Sequence, residues 1–250
     1  MGALVGWPDG YERRVLDEVD STMAEAARVA DALAGPQWIM ARRQSAARGR
    51  RGRAWRDAGG NLAATLVMRP VGGPGQAALR SFTAALALRD ACVTQTGAPE
   101  AFALKWPNDV LVNGGKAAGI LLETLGARGG SLAVGVGVNL ISAPGADAVE
   151  PGAVPPVSLL AETGQRIEPD AMLDALAASF AAWEERLVTY GFAPVRAAWL
   201  AHAARLGETV TARLPRESVD GIFETVDDTG AIVLKTAQGR RAIAAADIFF

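Results

Sequence analysis

Residues 105–116 read KWPNDVLVNGGK, and this stretch predicts a β-hairpin. Pro107 ends a first strand because proline cannot donate to a sheet. The Asn113-Gly114 pair is a strong signal for a tight hairpin turn between two further strands. If Val110–Val112 pairs with the strand that begins near Ala117, Asp109 and Lys116 lie at the same end of the hairpin. The sequence therefore predicts a carboxylate and an ammonium side by side.

The lysines of this stretch are unusual because the chain contains only three lysines among its 25 basic residues. Lys105 and Lys116 lie within the hairpin, and Lys235 lies far away near the end of the chain. Lysine offers a compact ammonium, whereas arginine offers a planar fork that prefers bidentate partners. The two lysines are candidates for binding a carboxylate or phosphate, although chance placement on a solvated face gives the same pattern.

The composition excludes several classes of function. The chain has 250 residues, is 50% hydrophobic and has a net charge of -2, which gives no support for a nucleic-acid or membrane partner held by bulk charge. No basic leader and no apolar run of about 18 residues is present, so a cytoplasmic protein is expected. One histidine, His202, and one cysteine, Cys92, cannot form a zinc site of several such ligands.

The apolar patterning predicts a mixed sheet with helices over residues 1–204 and a small all-β module over residues 205–250. The predicted strands are 15–19, 38–41, 61–68, 102–106, 110–112, 117–125 and 131–139. The predicted helices are 23–34, 76–95, 169–191 and 194–204. The single histidine, His202, falls at the end of the last helix, where a cation is commonly found.

An arginine-rich segment, QSAARGRRGRAW, occupies residues 44–55. Glycines alternate with arginines there, so the backbone can bend tightly while guanidinium groups converge on an anion. Such a loop suits a polyphosphate and is expected to become ordered when the anion binds. A nuclear-localisation or RNA-binding tract is the alternative, but the position between two apolar strands favours a ligand-binding loop.

Two further elements carry weaker signals. Asp109 and Lys116 beside an arginine loop suit phosphoryl or nucleotidyl chemistry with magnesium, or they form a structural pair that closes the hairpin. Gly135 and Gly137 face the same side of one strand as Asn139. They predict a flat surface for a planar ring, although glycines also mark β-bulges.

Taken in order, these motifs resemble those of biotin–protein ligases over nearly the whole chain. The matching segments are Ser21-Thr22, QSAARGRRGRAW (44–55), KWPNDV (105–110), GKAAGILLE (115–123) and GVGVN (135–139). The resemblance implies an α+β fold: a class II synthetase-like mixed β-sheet with flanking helices, plus a small C-terminal SH3-like β-barrel. It is closest to the short form of the family, which lacks the N-terminal helix-turn-helix, so DNA binding is not expected.

The resemblance also implies a reaction and its residues. Biotin and ATP would give biotinyl-5'-AMP, with Mg2+ assisting, and biotin would pass to a lysine of a biotin carboxyl carrier protein. The enzyme would be a cytoplasmic monomer or homodimer. The residues implied for catalysis are Lys116, Arg48, Arg50, Asp109 and Lys105, with Asp109 also the magnesium candidate. Those implied for biotin are Ser21, Thr22, Gln44, Ala47, Arg48, Lys116 and Gly119. Those implied for the nucleotide are Arg50, Arg53, Trp55, Asn108 and Asn139, with Trp55 stacking on adenine.

One position departs from the family pattern. Ala47 stands where glycine commonly precedes the first arginine of the loop, and its methyl group is expected to weaken biotin affinity without abolishing activity. Two other functions stay open: a lipoate or octanoate ligase of the same fold, and a non-catalytic module that binds biotin or nucleic acid. The residues Ser21, Thr22 and Gln44 argue against the first, and the trio Lys105, Asp109 and Lys116 argues against the second.

Overall fold

The hairpin predicted from residues 105–116 is confirmed in the computed structural model of the chain. Asn113 and Gly114 have φ angles of 48° and 83°, as a tight hairpin turn requires, and Val112 pairs with Gly115 across it. The preceding strand ends at Lys105, which pairs with Asp109 around the turn that contains Pro107. The structure describes residues 6–49, 52, 55, 59–126, 130–145 and 149–250.

This hairpin is one end of a seven-stranded mixed sheet, which confirms the predicted fold class. The sheet order is β1-β2-β3-β7-β6-β5-β4, with only β1 and β2 parallel. The strands are β1 (Glu12–Val19), β2 (Gln37–Gln44), β3 (Leu62–Met68), β4 (Phe102–Lys105), β5 (Asp109–Val112), β6 (Gly115–Leu125) and β7 (Ser131–Val138). β3 and β7 are buried along nearly their whole length, so the central strands are continuous apolar runs.

The helices differ from the predicted ones in their ends. They are α1 (Thr22–Val29), α2 (Pro74–Ala78), α3 (Arg80–Thr96), α4 (Leu159–Thr163), α5 (Pro169–Tyr190) and α6 (Phe192–Ala201). The predicted helix 23–34 is too long, because the chain must return to pair Gln37 with Glu12 in the parallel β1–β2 pair. The predicted helix 76–95 is wrong as a single element, since a break at Leu79 divides it into α2 and α3.

α3 and α5 pack on one face of the sheet and enclose the main core. Trp38 of β2 meets Phe180 of α5 edge-to-face, with ring centroids 6.0 Å apart. Arg80 and Glu184 form a buried ion pair between α3 and α5, with Arg80 Nη2 2.6 Å from Glu184 Oε1. The position of this pair inside the core ties the two helices to each other. None of the helices in the described part of the chain is long and apolar enough to span a membrane.

The last segment forms a second, five-stranded antiparallel sheet in the order β11-β10-β9-β8-β12. Its strands are β8 (Thr209–Arg213), β9 (Ser218–Val226), β10 (Ile232–Thr236), β11 (Gly239–Ile243) and β12 (Asp247–Phe249). This confirms the predicted all-β module, and the boundary between residues 204 and 205 stays a prediction. The module docks on the first sheet, where Trp106 Nε1 donates a hydrogen bond of 3.1 Å to the Gly230 carbonyl. In this arrangement Asp247, Ile248 and Phe249 of β12 line the cavity described below.

Candidate active site

A cavity of about 540 Å³ lies over β3, β6 and β7, next to the hairpin of residues 105–116. Every predicted site residue within the described part of the chain lines it: Ser21, Thr22, Gln44, Ala47, Arg48, Trp55, Lys105, Asn108, Asp109, Lys116, Gly119 and Asn139. The predicted residues Arg50 and Arg53 lie outside the described residues. Segments far apart in sequence therefore converge on one cavity.

A polar cluster forms one end of this cavity. The Ser21 hydroxyl caps α1 by accepting a 3.0 Å hydrogen bond from the Ala24 amide. The Thr22 backbone N–H donates to Gln44 Oε1 at 2.8 Å, and the Thr22 hydroxyl lies 3.2 Å from the same oxygen. Thr65 Oγ1 donates in turn to Thr22 Oγ1 at 2.8 Å. These bonds fix the Gln44 amide with its oxygen towards α1, so its nitrogen is the end that can donate to a ligand.

Glycines form the floor of the cavity. Gly119 of β6 lies opposite Gly137 of β7, and the indole of Trp55 lies against both. A Cβ atom on Gly137 would lie 2.7 Å from Trp55 Cε2, and one on Gly119 would lie 3.3 Å from Trp55 Cζ3. At Gly135 the neighbour is Met23, whose Sδ would lie 2.7 Å from an added Cβ. The flat surface predicted from the glycine pattern is thus covered by an aromatic ring from the arginine-rich segment.

The hairpin brings a cation and an anion together at the cavity. Lys116 Nζ lies 2.8 Å from Asp109 Oδ1, and their side chains are 32% and 13% exposed. Lys116 pairs with Leu111, and Asp109 pairs with Gly119 because the register shifts by one residue between Val110 and Leu111. The Lys116 side chain therefore reaches back along the strand to the carboxylate. Its ammonium also lies 6.0 Å from the centre of the Trp55 ring.

Two further cations approach the same region. Arg48 Nη2 donates a 2.8 Å hydrogen bond to Glu123 Oε2 on β6. Lys105 is buried at the end of β4, and its Nζ lies 5.6 Å from the ring centre of Phe250. Positive charge thus enters the cavity from the arginine-rich segment, from β4 and from β6. The carboxylates of Asp109, Glu150 and Asp247 also line the cavity, so the three cations suit anionic groups placed beside them rather than a uniformly positive surface.

The two predicted asparagines differ in how their amides are engaged. Asn108 Nδ2 donates a 2.5 Å hydrogen bond to the Ile120 carbonyl, and the Ile120 amide donates to the Asn108 carbonyl at 2.9 Å. Asn108 therefore joins the turn that contains Pro107 to β6. Its contact with the nucleotide stays a prediction. Asn139 Nδ2 donates to the Val157 carbonyl at 3.1 Å. Its buried Oδ1 has no hydrogen-bond partner among the described residues, so Asn139 presents an acceptor.

Several residues of the site were not predicted: Glu123 and Thr65 bond residues that line the cavity, and Glu150 and Phe249 line it themselves. Glu123, the partner of Arg48, closes the GKAAGILLE motif, and a charged residue in an apolar strand was the available signal. Thr65 similarly interrupts the apolar run of β3. Glu150 and Phe249 gave no local signal, because they reach the cavity only through the packing of distant segments.

A family model described as "Biotin/lipoate A/B protein ligase family" matches residues 15–140, which is about half of the chain. The chain belongs to this family. A second model, "Biotin protein ligase C terminal domain", matches residues 206–250. Both matches agree with the two sheets, and the first contains the cavity residues of β1 to β7. Membership in the biotin/lipoate protein ligase family confirms the resemblance read from the motifs.

Two similar relatives within the biotin/lipoate protein ligase family are biotin ligases. A Biotin--[acetyl-CoA-carboxylase] ligase of Paracoccus denitrificans is 55% identical over 238 residues, which is 94% of this chain and 99% of that protein. The enzyme of the same name from Mycobacterium tuberculosis is 32% identical over 99% of this chain and 91% of its own length.

A solved structure supports the fold. The biotin protein ligase of Aquifex aeolicus in complex with biotin and ATP superposes with a TM-score of 0.80. The match covers 95% of this chain and 97% of that one at 23% sequence identity, so it shows the shared fold.

Proposed function

We propose that this chain is an ATP-dependent biotin–protein ligase. It joins biotin to AMP with release of pyrophosphate, and then transfers biotin to a lysine of a biotin carboxyl carrier protein. The observation that carries the proposal is the convergence of the biotin-type polar cluster, the glycine floor and the Asp109–Lys116 pair on one cavity. The 55% identity to the Paracoccus denitrificans ligase over almost the full length of both chains supports it.

At the polar end, the fused ring of biotin is held by the α1 start and Gln44. Its ureido group contains a carbonyl acceptor and two N–H donors. Gln44 Nε2 is oriented to donate to a carbonyl, and the hydroxyls of Ser21 and Thr22 can accept from an N–H. Met23, which packs against Gly135, gives the fused ring of biotin an apolar neighbour. A lipoate or octanoate chain has no ureido group, so it would leave these buried polar groups without a partner.

In the first step, a biotin carboxylate oxygen attacks the α-phosphorus of ATP. The bond from this phosphorus to the bridging oxygen breaks, and pyrophosphate leaves with the electron pair. Both reactants are anions, so their approach requires positive charge placed in advance. Lys116 and Arg48 supply it at the carboxylate, and Lys105 lies on the phosphate side. Lys116 exchanges its contact with Asp109 for the more highly charged substrate.

Magnesium fits this cavity as a companion of the nucleotide. No group of three or more His, Cys, Asp or Glu side chains that could hold an ion occurs within the described part of the chain. Mg2+ is commonly held by one or two carboxylates together with substrate phosphates, and Asp109 supplies one such carboxylate. When bound with ATP, the ion neutralises phosphate charge. The protein residues orient the two substrates around it.

In the second step, the acceptor lysine of the carrier attacks the carbonyl carbon of the mixed anhydride. The new carbon–nitrogen bond forms as the bond to the AMP oxygen breaks. The lysine must first lose a proton, and Asp109 is the carboxylate placed to accept it once Lys116 has turned to the phosphate. Trp55 covers the glycine floor and limits the access of water to the anhydride.

Asn139 favours adenine as the base. Its Nδ2 is committed to the Val157 carbonyl, so the side chain offers Oδ1 to a ligand. The exocyclic amine of adenine can donate to this oxygen, whereas guanine presents a carbonyl oxygen at the corresponding position. We expect ATP to be used in strong preference to GTP, because two facing acceptors leave a buried group without a partner.

The test mixes the protein with labelled biotin, ATP, Mg2+ and a purified carrier domain. We expect biotin-dependent pyrophosphate release without the carrier and label on the carrier lysine when it is added. Lipoate and octanoate in place of biotin, and GTP in place of ATP, serve as matched controls and should give little product. Absence of biotin-dependent pyrophosphate release, or equal release with octanoate, would contradict the proposal. The cytoplasm is the proposed location, since ATP and the carboxylase carrier are both found there.

A further inference from the structure

One arginine of the C-terminal module contacts the loop that walls the cavity. Arg213 is the last residue of β8, and its Nη2 lies 2.7 Å from both carboxylate oxygens of Glu150. Glu150 belongs to residues 149–157, which we call the wall segment. Val149, Glu150, Ala153, Val154 and Pro156 of this segment line the cavity. The module is thus joined to the cavity wall by a charge-assisted hydrogen bond.

Phe249 provides a second contact at the same place. The guanidinium carbon of Arg213 lies 4.3 Å from the centre of the Phe249 ring. A Cβ atom on Gly152 of the wall segment would lie 3.8 Å from Phe249 Cδ1, which is ordinary van der Waals contact. Phe249 itself lines the cavity. Arg213 therefore lies between the ring and the carboxylate and orients both at the rim.

The other end of the wall segment is fixed to the nucleotide side of the site. The Lys116 amide donates to the Pro155 carbonyl at 2.8 Å, and the Val157 amide donates to the Lys116 carbonyl at 3.0 Å. Asn139 Nδ2 donates to the Val157 carbonyl at 3.1 Å. A displacement of the wall segment is consequently transmitted to the backbone of Lys116 and to the amide of Asn139.

We infer that Arg213 is a positioning residue that acts through Glu150 to hold the wall segment against the nucleotide. The inference rests on the proposed function for the identity of that nucleotide. The Arg213 and Glu150 side chains are 40% and 34% exposed, and such pairs contribute little to the stability of a fold. The pair instead orients the wall segment, because one guanidinium holds Glu150 while the other end of the segment is hydrogen-bonded to Lys116 and Asn139.

The experiment compares Arg213→Met, Arg213→Lys and Glu150→Gln with a matched control, Arg240→Met. Arg240 makes a similar ion pair on the same module, but its partner Glu224 does not line the cavity, whereas Glu150 does. Biotin-dependent pyrophosphate release is measured against ATP concentration, and ATP binding without biotin is measured by equilibrium dialysis. Biotin binding without nucleotide and the melting temperature are measured on the same proteins.

We expect Arg213→Met and Glu150→Gln each to raise the KM for ATP about tenfold, the loss typical of one charge-assisted hydrogen bond. The double variant should lose no more than Arg213→Met alone, because Arg213→Met already removes the contact with Glu150 together with those to Phe249 and Asp247. Arg213→Lys should keep the KM within about threefold of the wild type, since an ammonium can also face both oxygens. Biotin affinity should fall by a smaller factor than ATP affinity, because the wall segment is bonded to both Lys116 and Asn139 and only Lys116 is assigned to biotin. The control variant should match the wild type, and all melting temperatures should stay within about 3 °C of it.

Two results would overturn the inference. One is equal ATP affinity in the wild type, Arg213→Met and Glu150→Gln. The other is the same loss in Arg240→Met, which would make the effect one of module charge. A wild-type chain that binds ATP but releases no pyrophosphate with biotin would instead contradict the proposed function. The comparison of ATP affinities then still decides the role of Arg213.

Discussion

Adding one methyl group to the glycine floor tests how closely the Trp55 ring is placed. In Gly137→Ala the new Cβ atom would lie 2.7 Å from Trp55 Cε2 and 2.8 Å from Cζ2. Cβ contacts essentially never fall below 3.0 Å, and ordinary contacts begin at 3.4 Å, so the ring must move by about 0.3 to 0.7 Å. Gly137 does not have a positive φ, so alanine is compatible with the local backbone. The perturbation is therefore confined to the contact with the indole.

Moving the Trp55 indole is expected to affect the free energy of unfolding and the KM for ATP to different extents. Overpacking a well-packed site costs about 1–3 kcal/mol, but Trp55 is only half-buried, so its ring can move towards solvent. We expect the free energy of unfolding to fall by less than about 1 kcal/mol. The family resemblance implies that Trp55 stacks on adenine, and stacking of a base on an aromatic ring contributes about 1–3 kcal/mol. A displaced ring loses part of this, so the KM for ATP should rise about five- to tenfold.

The assay is biotin-dependent pyrophosphate release with ATP varied, together with urea unfolding. Gly130→Ala is the control, because an added Cβ there meets nothing within 4 Å. Trp55→Phe, alone and combined with Gly137→Ala, completes a double-mutant cycle, and the two changes should couple because a smaller ring relieves the clash. A Gly137→Ala variant with unchanged KM for ATP, or strict additivity in the cycle, would refute the reasoning.

Three further predictions follow from other contacts. Lys116→Arg should slow adenylate formation at least about 100-fold, because a planar fork cannot replace the compact ammonium beside Asp109. Single-turnover kinetics measure this rate, with Lys235→Arg as the control. A near-normal rate in Lys116→Arg, or an equal loss in the control, would contradict the prediction. Glu184→Gln should lower the free energy of unfolding by about 3–5 kcal/mol, because Arg80 is then buried without its counter-charge; urea unfolding measures it, and a loss under 1 kcal/mol would count against a buried pair. The native protein should resist thiol alkylation, because Cys92 is fully buried and its pKa is raised to about 12; rapid labelling without denaturant would disprove this.

The motifs predicted the composition of the site well. The Asn113-Gly114 turn and the ring-facing glycines of β7 are local signals, because turn geometry and the alternation of a strand act within a few residues. The boundaries of α1 and the division between α2 and α3 were not predictable in this way. α1 ends early because Gln37 must reach Glu12 in a parallel pair, a demand set by a strand on the far side of the helix.

The roles of individual residues within the site could be distinguished only from their contacts in the structure. Asn108 and Asn139 look alike as isolated polar residues at strand ends, but one amide bonds Ile120 and the other leaves an oxygen towards the cavity. The partner of Arg48 is likewise Glu123 on another strand, which no spacing rule indicates. Arg50 and Arg53 lie outside the described residues, so their roles stay predictions.

The sequence alone determined the family, the mixed sheet with its small β-module, and the set of residues proposed to carry the chemistry. These depend on short-range patterns: the hairpin of residues 105–116, the arginine-rich segment and the glycines of β7. Only the tertiary structure decided that Trp55 lies on the glycine floor, that the Lys116 ammonium contacts Asp109, and that Arg213 contacts Glu150 at the rim. The physical reason is that such contacts join segments separated by tens of residues, and their geometry is set by how the sheets and loops pack.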